Sequence, residues 1–293
     1  MMTRIGSLLL LLGLASGLIW AARQSSGPVD ATWARTHDKT LRQLLRLRPD
    51  VRLDFKAARR DPQEPEYYLA QFDAVQGIRR YPLAFYVSRD GKRVVMDEGE
   101  VRREYDLADP YRTFREQIQL EGAPALGPAE APLTVVEYLD YTCGYCHAFF
   151  ANVEKPMVER YGSKVRLVIK HYPILSEASG LAAHAAVCAQ RQSEEKFWAL
   201  HTKFFEENAQ VKQGRTGILA LGGKVGLNEA ALNRCMEEPA THDAVARDFD
   251  EARRLGLEAT PGFFINGRPI GGYLPPERFF IVLDEQLQDA QSR

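Results

Sequence analysis

Two of the four cysteines stand three positions apart, in the segment Cys143-Gly-Tyr-Cys146. Two cysteines at this spacing close a small disulfide when they stand on the first turn of a helix. The free N–H groups and positive dipole potential at a helix start stabilise a thiolate. We therefore expect Cys143 to lie at the exposed end of a helix with a lowered pKa, as nucleophile and leaving group. Cys146, one turn further in and better buried, is expected to resolve the mixed disulfide.

The same cysteine spacing occurs in structural zinc sites, which take a second pair of cysteine or histidine ligands at short spacing. The other two cysteines, Cys188 and Cys235, are isolated, and His147 directly follows Cys146. A redox role is favoured over zinc because a strand, a short loop and a helix are predicted around the motif. We predict no metal site and no cofactor.

Cys188 and Cys235 lie in two predicted helices of the second half of the chain. Four cysteines permit three pairings. Pairing Cys143 with Cys146 and Cys188 with Cys235 keeps the first pair available for exchange and suits an exported protein. We favour a structural disulfide between Cys188 and Cys235. Two free buried thiols, or a second redox centre, are the alternatives.

The elements that position the motif are predicted from the hydrophobic pattern. Residues 133–140 are mostly apolar, as in a strand buried on both faces. A helix is predicted from the motif to about Arg160, and Asn266-Gly267 is a hairpin turn signal. The other predicted strands are 165–169, 263–265 and 268–270, and the other predicted helices are 180–190, 195–207, 216–224, 228–238, 241–255 and 276–287.

Residues 31–108 are predicted to form a small α+β domain. The leucines of residues 40–47 are spaced as on an amphipathic helix, and residues 81–87 are rich in strand formers. Asp90-Gly91 predicts a hairpin turn before residues 92–96.

A helix predicted over residues 110–120 is followed by a run rich in glycine and proline at residues 122–132, where we place the domain boundary. Residues 109–131 are therefore assigned to a connecting helix and linker. Residues 132–290 are expected to form the catalytic domain, with a helical insertion at about residues 176–256.

The amino terminus resembles an export signal, because Arg4 precedes an uncharged, leucine-rich run over residues 5–22. The small residues at Ala15-Ser-Gly17 suit a signal peptidase. A run of this length also suffices for a membrane anchor. We predict that residues 1–23 are a signal peptide or an anchor, and that the rest of the chain faces an oxidising, extracytoplasmic space.

The composition is that of a globular protein. The chain has 293 residues, of which 45% are hydrophobic and 26% charged, which excludes a disordered, collagenous or polytopic membrane chain. The formal net charge is -1, so the chain has no excess of positive charge to attract nucleic acid, and no nucleic-acid partner is predicted.

Two distant motifs carry a resemblance to a known family. The segment 135–146, VVEYLDYTCGYC, and the segment 259–268, ATPGFFINGR, resemble the DsbA/DsbC group of thioredoxin-fold oxidoreductases. The resemblance covers about residues 133–287 and implies an α/β thioredoxin fold with an inserted helical lobe. It also implies that Pro261 is cis and stands beside the cysteine pair, and that Thr260 approaches the sulfurs and pairs with an extended substrate strand.

Glu137 is six positions before Cys143, within the first predicted strand. By alternation with its neighbours it points inward, where an unpaired carboxylate is costly. The resemblance implies that this acid helps to move the proton of the resolving thiol. Lys170 is the candidate partner of Glu137, and an edge-exposed Glu–Lys pair is the alternative.

The histidines receive no catalytic assignment. His147 follows the cysteine pair and would favour a thiolate if protonated, but a partly exposed packing residue is the preferred interpretation. His171, His184 and His201 occupy strand-end or helix positions, and no role is assigned to them.

The favoured function is thiol-disulfide exchange that forms or rearranges disulfides in exported polypeptides, with a membrane redox partner that recycles the enzyme. Residues 86–95 faintly resemble the dimerisation domain of DsbC-like isomerases, and this resemblance implies a homodimer through the N-terminal domain. The Glu137 strand and the large insertion favour DsbA-like oxidases instead. A periplasmic disulfide reductase and a non-catalytic thiol- or copper-binding chaperone module are the alternatives.

Overall fold

The computed structural model describes residues 27–291, except residues 49, 99 and 100. The signal or anchor predicted at residues 1–23 lies outside these described residues. Among the helices within them, none combines the length and apolar character that a membrane span requires. The chain divides into two compact units, one up to Arg112 and the other from Thr113 onward. This division falls inside the predicted connecting segment, before the glycine- and proline-rich run where the boundary was expected.

The first unit contains two short helices followed by an antiparallel meander. Its described strands form a five-stranded sheet in sequence order. The elements are α1 (Ala31–Thr36), α2 (Asp38–Leu44), β1 (Arg52–Arg60), β2 (Tyr67–Gln76), β3 (Arg79–Ser88), β4 (Arg93–Glu98) and β5 (Val101–Asp106).

Local sequence explains the turns of the first unit. Asp30 caps α1 by accepting hydrogen bonds from the N–H groups of Thr32 and Trp33. Gly91 adopts a positive φ of 71° in the turn between β3 and β4, as expected for an Asp-Gly hairpin. The Trp33 indole donates to the Gly91 carbonyl oxygen at 2.7 Å, which ties α1 to this turn.

The second unit is an α/β fold around a mixed sheet. Its described strands form a five-stranded sheet in the order β10-β9-β7-β8-β6. The central strands β7 and β8 are parallel, whereas β6, β9 and β10 pair with antiparallel neighbours. The strands are β6 (Ala125–Leu126), β7 (Leu133–Leu139), β8 (Val165–His171), β9 (Gly262–Ile265) and β10 (Arg268–Gly271).

The helices of the second unit cover the sheet and form a lobe between β8 and β9. Buried aromatic and aliphatic side chains from β7, β8, β9 and the surrounding helices make one continuous core. The helices are α3 (Arg112–Gln117), α4 (Gly144–Phe149), α5 (Lys155–Tyr161), α6 (Glu177–Gln192), α7 (Glu194–Glu206), α8 (Asn208–Val211), α9 (Arg215–Lys224), α10 (Glu229–Met236), α11 (Pro239–Arg254) and α12 (Pro276–Gln291).

One π-helical turn, Phe150–Glu154, joins α4 to α5. Pro156 explains the irregularity, because a proline has no N–H to donate to the carbonyl oxygen of Asn152 and its ring crowds that position. Insertions of this kind change the direction in which side chains project and often occur at functional sites. Here Glu154 is 5% exposed, whereas its neighbour Lys155 faces solvent.

The predicted fold class is confirmed: the second unit is a thioredoxin-like α/β fold with a helical lobe, preceded by a small α+β unit. The helix expected after the cysteine motif exists but contains the π-helical turn. The run at residues 122–132 is not only a linker, because it contains β6, which pairs with β8. Two residues are too short a strand to show periodicity, so this strand depends on its tertiary partner.

Candidate active site

The cysteine motif lies where β7 passes into a helix. Cys143 is the N-cap residue of α4, with extended backbone angles, and Cys146 stands one turn later. Both thiols are free and buried, with Cys143 6% and Cys146 0% exposed. Contrary to the sequence-based expectation, Cys143 is not exposed. The segment before β9 covers it, because the Cys143 thiol donates to the Thr260 carbonyl oxygen at 3.3 Å.

The Thr260–Pro261 peptide bond is cis. Pro261 directly precedes β9, which runs antiparallel to β7 with Gly262 opposite Tyr138. This register brings the loop that carries Thr260 to the end of β7 from which Cys143 follows. The structure therefore brings together three residues, Cys143, Thr260 and Pro261, whose proximity the resemblance implied.

The two thiols have opposite pKa shifts. The Cys146 thiol, as a hydrogen-bond donor, is the largest cause that lowers the pKa of Cys143 from 9.0 to about 5. The Thr260 hydroxyl and the backbone N–H groups of Cys146 and Tyr145 lower it further, against the opposing effect of burial. Burial is the main cause that raises the pKa of Cys146, followed by its hydrogen bond to Cys143 and the nearby Glu137.

The Thr260 hydroxyl oxygen is buried and makes no hydrogen bond of standard geometry within the described residues. It nevertheless contributes to the lowered pKa of Cys143. An otherwise uncommitted hydroxyl beside a thiolate is available to reacting sulfur atoms, because no competing partner among the described residues holds it.

Glu137 is 1% exposed, in the middle of the central strand β7. Its Oε2 atom has no hydrogen-bond partner among the residues that the structure describes. Burial is the main cause that raises the pKa of Glu137 well above its usual value, and the charges of Glu154 and Cys143 add to the shift. Burial and these charges both disfavour the ionised form of the side chain.

The predicted pairing of Glu137 with Lys170 is wrong. In the parallel β7–β8 pair, Glu137 stands opposite Ile169, whereas Lys170 stands opposite Tyr138. Because neighbouring residues of a strand point to opposite faces, Lys170 lies on the other side of the sheet. There its ammonium group lies 2.8 Å from Asp248 and 3.2 Å from Glu251. The alternative of an edge-exposed pair is also wrong, since Glu137 and Lys170 are both buried.

Sequence reasoning missed Asp140, which organises the loop before the motif. Its buried carboxylate accepts hydrogen bonds from the N–H groups of Thr142, Ile174 and Leu175 at 2.8, 2.9 and 3.0 Å. These bonds join the loop that leads to Cys143 to the loop after β8. An aspartate at a strand end two positions before a threonine is a recognisable turn signal, but its long-range partners are not readable from the sequence.

Sequence reasoning also missed the surroundings of His201, to which no role was assigned. His201 is fully buried, and its ring contacts the carboxylate of Glu154 and the hydroxyl of Tyr141. His147, in contrast, is exposed on α4, and the His184 ring lies tilted against that of His242, with 4.2 Å between the ring centroids.

The surface beside the cysteines carries one exposed aromatic side chain that stacks on a half-buried one. Tyr145, between the two cysteines, is 65% exposed, and its ring stacks on Tyr273 with 6.1 Å between centroids. Exposed aromatic rings are suited to contact apolar side chains of a partner.

The remaining cysteines form a disulfide that joins α6 to α10. The sulfur atoms of Cys188 and Cys235 are 2.05 Å apart. This pairing is the one that the sequence analysis favoured, and it lies in the helical lobe. Among the described residues there is no group of three or more His, Cys, Asp or Glu side chains arranged to hold a metal ion.

A dithiol at a helix start, next to a cis-proline loop in a thioredoxin-like sheet, defines the class of thioredoxin-fold oxidoreductases. A family model described as "Thioredoxin" matches residues 119–285. The chain therefore belongs to this thioredoxin family, as a DsbA-like member. Residues 1–118 lie outside the match.

Three known proteins illustrate the similarity. Disulfide bond formation protein D of Bacillus subtilis is 25% identical over 59% of this chain and 80% of that protein. The Na(+)/H(+) antiporter NhaA of Herminiimonas arsenicoxydans is 32% identical over 57% of this chain, which spans only 26% of the antiporter. The crystal structure of alpha-DsbA1 of Wolbachia pipientis shares the fold, with a TM-score of 0.55 and 24% identity over 61% of this chain and 98% of that one.

Proposed function

We propose that this protein is a thiol oxidase that forms disulfides in exported polypeptides through Cys143 and Cys146. The observation that carries the proposal is the position of the dithiol, with Cys143 as the N-cap residue of α4 and its thiol donating to the Thr260 carbonyl oxygen beside the cis peptide bond. In this setting the pKa of Cys143 is lowered to about 5, whereas burial raises that of Cys146. A stabilised Cys143 thiolate favours the reduced protein over the disulfide form. The disulfide therefore acts as an oxidant, and Cys143 as a good leaving group.

The reaction begins with the Cys143–Cys146 disulfide. A substrate thiolate attacks the Cys143 sulfur, the new mixed disulfide forms, and Cys146 leaves with the electron pair of the broken bond. A second substrate thiolate then attacks the substrate sulfur of the mixed disulfide and releases the Cys143 thiolate. Two electrons have passed from the substrate dithiol to the protein, and Cys146 carries one added proton.

The proposed substrate is an extended, cysteine-containing polypeptide. The loop at Thr260 and Pro261 lies against Cys143, where backbone groups are suited to pair with an incoming strand. The exposed ring of Tyr145, stacked on the half-buried Tyr273, supports a neighbouring contact with apolar substrate side chains. Export through residues 1–23 and reoxidation by a membrane redox partner belong to the same proposal.

The decisive experiment compares the wild type with single cysteine variants on one polypeptide that has two cysteines. We expect the oxidised wild type to oxidise the reduced polypeptide and Cys143→Ser to lose this activity, because the attacked sulfur is removed. We expect reduced Cys146→Ser, mixed with the disulfide form of the polypeptide, to accumulate a mixed disulfide through Cys143, because the Cys143 thiolate attacks the substrate disulfide, one substrate thiolate leaves, and no second cysteine releases the product. The adduct is visible by non-reducing electrophoresis and mass spectrometry. The matched control is the double variant Cys188→Ala, Cys235→Ala, which removes the lobe disulfide and keeps oxidation. An equal yield of mixed disulfide from Cys143→Ser contradicts the assigned roles.

An isomerase is the second candidate, favoured by the separate N-terminal unit with its own five-stranded sheet among the described residues. Repair of a scrambled multi-disulfide substrate, together with a homodimer in solution, supports that activity over oxidation alone. Reduction of substrate disulfides without oxidation indicates a reductase. Cu(I) binding by the thiolates without any turnover indicates the non-catalytic alternative.

A further inference from the structure

The two cysteines of the lobe disulfide differ in their exposure to solvent. Cys188, on α6, is 1% exposed and belongs to the core of the second unit. Cys235, on α10, is half-buried and packs at the margin of that core. Thiol-disulfide exchange begins when a thiolate attacks a sulfur atom that it can reach. Cys235 is therefore the sulfur open to attack from solvent, and Cys188 is the sulfur that leaves.

A guanidinium group lies against Cys235. The Arg191 Nη1 atom is 3.8 Å from the Cys235 sulfur, and it donates to the Thr241 hydroxyl oxygen at 2.8 Å. Thr241 is fully buried, and its hydroxyl donates to the Cys235 carbonyl oxygen at 2.7 Å, which fixes the guanidinium beside the sulfur. A neighbouring arginine stabilises a thiolate and lowers its pKa. Arg191 is therefore placed to stabilise Cys235 in the reduced protein.

One acidic side chain opposes this effect. Arg191 also pairs with Glu238 at 3.1 Å, and the two side chains are 38% and 55% exposed. The Glu238 carboxylate offsets part of the positive charge that acts on the sulfur, because it carries the opposite charge on the same Nη1 atom. Arg191 and Glu238 therefore act on a Cys235 thiolate with opposite signs.

The lobe disulfide is not the only contact that holds α10 in place. Leu232 and Met236 stand on either side of Cys235 along α10, and they are 0% and 1% exposed in the core of the second unit. Burial of these apolar side chains keeps α10 docked after the sulfur–sulfur bond opens. Exchange at the lobe disulfide is therefore compatible with a folded lobe.

The lobe disulfide is separate from the active-site cysteines. Helix α6 begins beside the motif, where the Ser179 hydroxyl oxygen lies 2.8 Å from that of Thr142. Cys188 comes about 14 Å further along the helix axis, at about 1.5 Å per residue. The Cys143 thiol, next to Thr142, is bonded instead to the Thr260 carbonyl oxygen. The reductant of the lobe disulfide therefore comes from outside the chain.

We propose that the lobe disulfide is a second thiol-exchange site, at which a low-molecular-weight thiol attacks Cys235. A thiolate of the small thiol forms a mixed disulfide with the Cys235 sulfur, and the Cys188–Cys235 bond breaks. Cys188 leaves with the electron pair of that bond and takes up a proton. A second small thiolate then attacks the sulfur of the bound thiol and releases the Cys235 thiolate beside Arg191. Two electrons pass to the lobe cysteines, and the small thiols leave as their disulfide.

The first experiment identifies the sulfur atom that reacts in the folded, full-length protein. The oxidised protein is incubated with reduced glutathione at pH 8 without denaturant, free thiols are trapped with N-ethylmaleimide, and adducts are located by peptide mass spectrometry. We expect glutathione on Cys235 and N-ethylmaleimide on Cys188. A lobe disulfide that opens only after urea is added, or glutathione found equally on both cysteines, overturns the inference.

The second experiment measures the equilibrium constant for reduction of the lobe disulfide in glutathione buffers at pH 9, where an ordinary thiol is ionised. We expect Arg191→Met to lower this constant about 10-fold, or about 30 mV, because the thiolate loses its positive neighbour. Arg191→Lys is expected to keep most of the wild-type value, and Glu238→Gln to raise it. A contribution of Arg191 to packing of the closed disulfide alone predicts easier reduction in Arg191→Met, and that result contradicts the proposal.

Arg215→Met is the matched control. Arg215 is an arginine of α9 that donates to Asn233 at 2.7 Å and pairs with Glu237, so it contacts α10 on both sides of Cys235 without using the sulfur. Its equilibrium constant is expected to equal that of the wild type. Equal decreases in Arg191→Met and Arg215→Met overturn the role of Arg191.

This inference goes beyond the proposed oxidase activity and does not depend on it. A wild type that fails to oxidise polypeptides, but carries glutathione on Cys235, overturns the proposed function and leaves the second exchange site standing. Intact oxidation of polypeptides by a protein whose lobe disulfide resists glutathione until it unfolds has the opposite meaning.

Discussion

Buried ionisable groups have charged or hydrogen-bonded partners on one face of strand β7, whereas Glu137 on the other face has an oxygen atom without a partner among the described residues. On one face, the Tyr138 hydroxyl donates to Glu251 at 2.6 Å. On the same face, Lys170 pairs with Asp248 and Glu251, so each buried charge has an opposite charge or a hydrogen-bond partner. On the other face, one residue away along the chain, Glu137 has an Oε2 atom without a partner among the described residues.

This difference separates buried charges that stabilise the fold from a buried acid that lies near the reactive thiols. Paired charges on the Lys170 face connect α11 to β8, and their partners compensate much of the cost of burial. On the Glu137 face, burial is the main cause that raises the pKa of the acid, and the charges of Glu154 and Cys143 add to it. Uncompensated, strongly shifted groups in the vicinity of a nucleophile are typical of functional sites.

The largest expected effect comes from removing Lys170, the cation of the buried ion pairs with Asp248 and Glu251. Lys170→Met keeps most of the side-chain volume but leaves two carboxylates, Asp248 and Glu251, buried without their cation. We expect the free energy of unfolding to fall by about 3–5 kcal/mol, measured by urea denaturation at pH 7. A loss below about 1 kcal/mol contradicts the structural role of this face.

A smaller effect is expected from Glu137→Gln on the unpaired face. The variant removes a buried acid that has no partner for Oε2, so the free energy of unfolding at pH 7 should not fall. We expect the opening of the active-site disulfide by dithiothreitol at pH 7 to slow by about 10²-fold, at the lower end for a general acid. The control is Glu251→Gln. If both variants slow the reaction equally, the two faces do not differ in function.

The third expected effect is a pH dependence of the stability of the reduced protein, caused by the ionisation of the Cys143 thiol. The pKa of Cys143 is about 5 in the folded reduced protein, compared with 9.0 for an ordinary thiol. Between these values the unfolded state binds more protons, so the stability of the reduced protein rises with pH from 5 to 9. This contribution is complete above pH 9 and is lost as the pH falls to 5.

The measurement is the free energy of unfolding of the reduced protein minus that of the disulfide form, at several pH values. Subtracting one free energy of unfolding from the other cancels the part of the Glu137 contribution to stability that the reduced and disulfide forms share. We expect this difference to increase between pH 5 and pH 9. We expect the difference between Cys143→Ala and the double variant Cys143→Ala, Cys146→Ser to be flat over the same range, because neither protein has a thiol at position 143. A flat difference in the wild type shows that no thiolate is stabilised at Cys143.

Much of the catalytic unit is predictable from the sequence because it depends on local signals. The apolar segment of β7, the Asn-Gly turn between β9 and β10 and the helix after Cys143 each have a pattern within a few residues. The cysteine pair and the sequence around Pro261 point to thiol-disulfide exchange. The π-helical turn was not predicted, although Pro156 is a recognisable interruption of a helix.

The partner of Glu137 could not be predicted in the same way. Alternation along β7 correctly indicates that Glu137 points inward, because side chains of a strand alternate between faces. It does not indicate the register between β7 and β8, which places Ile169 opposite Glu137. The choice of Lys170 failed for this reason, since a shift of one residue moves a side chain to the other face.

The sequence by itself determined the reactive chemistry: a cysteine pair on the first turn of a helix, after an apolar strand, with the means to stabilise one thiolate. Only the tertiary structure decided the environment of that chemistry. It covers Cys143 with Thr260, 117 positions away, and sets Glu154 against His201, 47 positions away. Periodicity and turn signals act over a few residues, whereas burial and charge coupling arise only when distant segments pack together.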